Sequence, residues 1–168
     1  IEAYNDIKDK GKYHSAPYII NELYALSFFD FGGNEKYNEA KEFFLSQLQK
    51  DWQRFDFGMQ AKIALVLYRN GKDETAQLIM QSLRERARQK KDVGMYWSSD
   101  VKEQTLIMEA FREISPDEQL LEEATIWLLC NKRCNMWENA ATTVDAIYEL
   151  SFVGEQMSAV SIMKNSVI

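Results

Sequence analysis

The stretch "DVKEQTLIMEAFREISPDEQLLEEATIWLLCNK", residues 100–132, decides the fold class. In 100–114 the apolar side of the pattern is Val101, Thr105, Met108 and Phe111, and in 117–130 it is Leu120, Ala124, Trp127 and Leu128. Spacings of three, four and seven residues place each set on one face of an α-helix. Between the two sets stands "SP", Ser115-Pro116, where the proline fits the first turn of the second helix. Asp100 is an N-cap for the first, since its short carboxylate can accept from the free amides of the opening turn. The stretch is therefore a helical hairpin.

The same format extends in both directions. In 72–91, Ala76, Ile79, Met80, Leu83 and Ala87 form one stripe, opened by Asp73 and Glu74 and closed by Arg84, Arg86, Arg88, Lys90 and Lys91. That charge order suits the helix dipole, so the basic cluster reads as a solvated helix C-terminus and not as a polyanion site. Residues 58–69 carry Met59, Ile63, Val66 and Leu67; 35–50 carry Tyr37, Ala40, Phe44 and Leu48; 16–29 carry Ile20, Leu23, Tyr24 and Ser27. Asn139 caps a further helix over 140–151, whose predicted core stripe is Ala141, Val144, Ile147, Tyr148 and Ser151. Beyond it, "AVSIMKNSVI" at 159–168 is rich in β-branched residues and predicts a short strand.

Phe57, Trp97 and Trp137 stand 40 residues apart (97 less 57, 137 less 97), each opening a unit. A period of this length with two helices per unit predicts an all-α fold of stacked helical hairpins, either an α-solenoid or an α/α-toroid. Composition agrees. The chain has 168 residues, 46% apolar and 27% charged, with seven glycines and two prolines, which suits long helices and one sizeable core. A net charge of −6 argues against nucleic acid as a partner, and no apolar run is long enough to span a membrane. The start at Ile1 reads as a processed chain or a piece of something longer.

Residues 96–150, "YWSSDVKEQTLIMEAFREISPDEQLLEEATIWLLCNKRCNMWENAATTVDAIYEL", resemble the C-terminal part of the thioester-domain region of bacterial alpha-2-macroglobulin-like proteins. Three parts match in order: an aromatic residue ahead of the helix "DVKEQTLIMEAF", a helix ending "IWLLCNK", and Trp137 followed by "ATTVDAIYEL". Residues 15–95 keep only the hairpin format. The resemblance implies a partial α/α-toroid in residues 1–156. It also implies a segment, 157–168, leading to a β-rich module. By the same resemblance the parent is an envelope protein, periplasmic or surface-exposed, that entraps or inhibits proteases. The partners implied are proteases, met through the parent, and the parent's other domains. An excerpt would expose apolar faces and favour self-association.

Thioester-bearing members of that family carry Cys-x-Glu-Gln. Here "FVGEQM" at 152–157 has Val153 where the sulfur would stand, and "DVKEQT" at 100–105 has Val101. Valine supplies no nucleophile, so no thioester residue is assigned; Val153 is expected to close a helix ahead of Gly154, its C-cap. Cys130 and Cys134 in "CNKRC" begin no such motif, and with His14 as the single histidine they lack the further ligands of a zinc site. Asp56, Asp100 and Glu138, beside Phe57, Trp97 and Trp137, could supply a glycosidase's carboxylates, but acids at helix starts are expected to cap. Asp145 and Glu149 share a face and could hold a hard cation, though a solvated face is expected. His14 in "KYHSA" reads as a surface residue, and "FGGNE" at 31–35 as a turn between helices. The sequence thus assigns no catalytic, cofactor-binding or metal residue. It predicts a non-enzymatic domain, with a peptide-binding repeat scaffold and a carbohydrate-active toroid as the alternatives.

Overall fold

Short polar side chains set where the helices begin. Asn34, Asp56, Asp100 and Asp117 each accept a hydrogen bond from a first-turn amide, and Pro17 opens a helix with its φ already fixed. The computed structural model describes residues 2–7, 15–29, 32–133 and 136–165, of which 153–165 as backbone alone. The helices are α1 (Glu2–Asp6), α2 (Pro17–Leu26), α3 (Glu35–Asp51), α4 (Phe57–Arg69), α5 (Asp73–Glu85), α6 (Val101–Ile114), α7 (Glu118–Cys130) and α8 (Ala140–Asn165). Two short strands, β1 (Arg88–Lys90) and β2 (Gly94–Tyr96), pair antiparallel between α5 and α6. The fold is all-α, as the periodicity predicts. The chain forms two units, residues 1–83 and 84–168.

In the first unit α4 is the central helix, packed against α2 and α3. Ala61 and the whole run Ile63–Leu67 are buried, so α4 is apolar on nearly every side, the pattern of a helix enclosed by others. Its end is set by Gly71, at φ 72°. The Lys72 amide reaches back to Leu67 O (2.9 Å) and the Gly71 amide to Tyr68 O (3.0 Å), which satisfies the last carbonyls in a Schellman motif. Polar ties hold the neighbours: Lys62 donates to Asn21 on α2 (2.7 Å), and Lys72 pairs with Glu42 on α3 (2.8 Å).

In the second unit α6 is central and contacts both α7 and α8. Val101, Gln104, Thr105, Ile107, Met108, Ala110, Phe111 and Ile114 are all buried. Trp97 enters this core 1% exposed, its ring stacked on Phe111 with centroids 5.6 Å apart. Strand β2 lies on α7 through Gly94, where an added Cβ would come within 2.1 Å of the Glu123 carbonyl oxygen. Tyr96 then stacks on Trp127, 5.9 Å between centroids. Trp137 is buried too and donates its indole N–H to Leu128 O (2.8 Å). In both units helices one hairpin apart lie side by side, α2 against α4 and α6 against α8.

Four expectations need correction. The helix predicted over 72–91 ends at Glu85, and Arg88 and Lys90 stand on an exposed strand. The turn holding Asp92 at φ 63° and Gly94 at φ 91° folds the chain back, and β2's fit on α7 outweighs the favourable end charges. The strand predicted at 159–168 is helical backbone through Asn165, and residues 166–168 lie outside the described residues. Gly154 does not end α8. A single glycine costs a helix about 1 kcal/mol, too little to stop one that has no proline in its path. Pro116 stands just ahead of the α7 cap, Asp117, and not inside the first turn.

Candidate interaction surface

Two of the three acids at the unit starts act on the backbone. Asp56 accepts from the Met59 amide (2.7 Å), and one carboxylate oxygen of Asp100 accepts from the amides of Lys102 (2.7 Å) and Glu103 (3.2 Å). Both carboxylates are N-caps. Glu138 is exposed, and the α8 cap is its neighbour Asn139, which accepts from the Thr142 amide (3.0 Å). Trp97 and Trp137 are core residues and do not form surface platforms for a sugar.

The "VKEQ" helix start is equally structural. Val101 is buried, and the Gln104 amide donates to Met95 O (3.0 Å) and Ala124 O (3.4 Å), tying β2 and α7 to α6. The basic cluster is dispersed. Arg84 pairs with Asp117 and lies over the Phe111 ring, centroid 5.4 Å away. Hydrogen bonds from the Leu120 amide and from Arg84 hold the Asp117 carboxyl below its ordinary value of 3.8. Cys130 is an exposed free thiol. Cys134 and His14 lie outside the described residues.

Asp145 and Glu149 do not share a solvated face. Glu149 is 3% exposed and bound by Arg112 through two hydrogen bonds, Nη2 to Oε1 at 3.0 Å and Nη1 to Oε2. The Arg112 guanidinium lies over the Phe152 ring at 4.0 Å. Burial pushes the Glu149 carboxyl above its ordinary 4.5, against the pull of Arg112, and the charges of Glu109 and Asp145 add to the rise. The pair braces α6 to α8. Among the described residues no cluster of three metal-ligating side chains occurs.

The first unit holds a cleft of about 460 Å³ between the end of α2, the start of α3 and the end of α4, lined by Phe28, Tyr37, Lys41, Arg69 and Asn70 among others. Its one guanidinium is already engaged. Arg69 donates to Ser27 Oγ (3.1 Å) and lies 4.3 Å from the centre of the Phe28 ring.

The feature that stands out is the outer face of α8. The residues predicted as its core stripe are exposed: Val144 by 66%, Ile147 by 57% and Tyr148 by 56%, with Ala141 and Ser151 also outward. The buried side is the opposite one, Thr142, Ala146 and Glu149. Glu149 meets Arg112 of α6 on this side, with the small buried Thr142 and Ala146 sharing it, and the helix turns its larger apolar residues away. In the 40-residue register α6 offers the comparison. Val101, Gln104, Ile107, Met108 and Phe111, the counterparts of 141, 144, 147, 148 and 151, are all buried. The spacing was legible in the sequence, but which side faced inward was not. The signal that could have found it is Arg112 and Glu149, opposite charges that must meet on the inner side.

No family model, no curated protein and no solved structure matches this chain.

Proposed function

We propose that this chain is a non-catalytic helical-hairpin module that works by packing, its hairpins arranged as part of an α/α-toroid. On the resemblance of residues 96–150, it belongs to an alpha-2-macroglobulin-like protein of the cell envelope. There it helps entrap or inhibit proteases. The observation that carries the packing role is the outward apolar face of α8, 40 residues on from a face that α6 buries. A patch of this kind on one helix marks a surface meant to be covered. The acids best placed for hydrolysis support the same reading, because Asp56 and Asp100 are committed to backbone amides. The same face also favours a second reading, a repeat scaffold that binds a peptide.

The test is the product of the complete reading frame, incubated with a protease and then assayed on a protein substrate. Reduced cleavage supports the trap; unchanged cleavage contradicts it and leaves the scaffold reading. Glycan hydrolysis by the chain, lost in Asp100→Ala, would overturn the non-catalytic assignment.

A further inference from the structure

We infer that the outer face of α8 receives an amphipathic helix whose apolar stripe is flanked by Lys or Arg. This deepens the packing role and is independent of the protease-trap role, so the two fail separately. The kind of partner follows from the internal repeat. In α6 the residues Val101, Gln104, Ile107, Met108 and Phe111 are buried, and the next element in sequence, the helix α7, packs against α6 and accepts from Gln104 at Ala124 O. The equivalent face of α8 presents the same helical spacing, with Val144, Ile147 and Tyr148 at i, i+3 and i+4 exposed. A helix laid along it would seat its own stripe between these residues, as ridges pack into grooves. The basic flank follows from charge. Residues 140–152 of α8 contain Asp145 and Glu149 and no Lys or Arg. Glu149 is neutralised inside by Arg112, which leaves Asp145 beside the apolar face, with exposed Glu138 just ahead of the helix. The chain as a whole carries −6. A partner with Lys or Arg beside its stripe gains attraction where one with Glu is repelled.

The probes are two labelled synthetic helical peptides with the same leucine stripe, one flanked by Lys and one by Glu, titrated against the whole chain by fluorescence anisotropy. The Lys-flanked peptide is expected to bind, and the Glu-flanked one to bind about tenfold more weakly or not at all, with the gap narrowing in high salt. Joint Val144→Asp and Ile147→Asp substitution should weaken the Lys-flanked peptide by about tenfold or more, as loss of central apolar anchors does. Both positions are exposed, so circular dichroism should match the parent chain. Leu78→Asp, 53% exposed in the other unit, should leave binding unchanged. Three results overturn the inference: no binding of the Lys-flanked peptide, equal binding of both peptides, or binding insensitive to the double substitution. Sedimentation velocity supplies a fourth, a dimer of the parent chain that the double variant dissolves, which would assign the face to a second copy.

Discussion

Helices α6 and α8 stand one 40-residue unit apart and carry apolar residues at matching positions, yet one buries them and the other shows them to solvent. In α6, Ile107 is fully buried and Met108 is 1% exposed; in α8, Ile147 and Tyr148 are 57% and 56% exposed. The difference is one of neighbours. Helix α6 packs against both α7 and α8, whereas the buried residues of α8 are Thr142, Ala146 and Glu149, the last bound to Arg112 of α6. A helical stripe in sequence therefore says that a face is to be covered, and not that this chain covers it.

The comparison is broken most severely at the wedge of the covered side. Trp97→Ala should remove about 3–5 kcal/mol of stability, read as a drop in the urea midpoint, because it empties the stack on Phe111. A loss under about 1 kcal/mol would mean that Trp97 does not anchor α6. Next comes the seat of β2 on α7. Gly94→Ala meets a backbone oxygen at 2.1 Å from a φ of 91° and should cost about 1–3 kcal/mol in thermal unfolding. Gly71→Ala, also at positive φ but with nothing within 4 Å, should cost only about 1 kcal/mol. If the two alanines cost the same, the close approach of β2 to α7 is wrong.

The cap at the start of α6 sharpens the assignment of Asp100. Asp100→Ala should cost about 1 kcal/mol and Asp100→Asn far less, since asparagine caps as well as aspartate. Equal losses would mean that the negative charge at the helix start, and not the capping hydrogen bond, carries the effect.

The smallest expected effect is the pH response of the brace between α6 and α8. Glu149 holds its proton to a higher pH when folded than its ordinary 4.5, so between those values the folded chain binds more protons than the unfolded one. Stability from this group therefore falls as pH rises from 4.5 through the raised folded value. Asp117 acts oppositely. Its contribution is complete above 3.8 and is lost as pH falls through its lowered folded value. Glu149→Gln should flatten the stability profile above pH 4.5 and leave the acid limb unchanged, as measured by urea titrations across pH.

Helix existence was legible because its signals are local. Asp56, Asp100 and Asn139 sit where capping chemistry demands, and the stripes in α5 and α7 bury as their spacing predicts. What was not legible depended on residues far apart. The inner side of α8 is chosen by Arg112, 37 residues before Glu149. The hairpin β1/β2 is chosen by its seat on α7, which a basic run after a helix does not reveal. The β-branched residues near 160 suggested a strand by composition alone, and helix continuation from α8 prevails there. The outer face of α8 is half legible: the spacing groups Ala141, Val144, Ile147 and Tyr148 on one face, but predicts that face inward, and it is exposed.

Paired urea unfolding of Ile107→Ala and Ile147→Ala tests the central claim most directly. The same deletion at equivalent positions should cost about 2–5 kcal/mol in α6 and no more than about 0.5 kcal/mol in α8. Losses of similar size would contradict the account, because they would place Ile147 in the core and leave α8 with no outer face to cover.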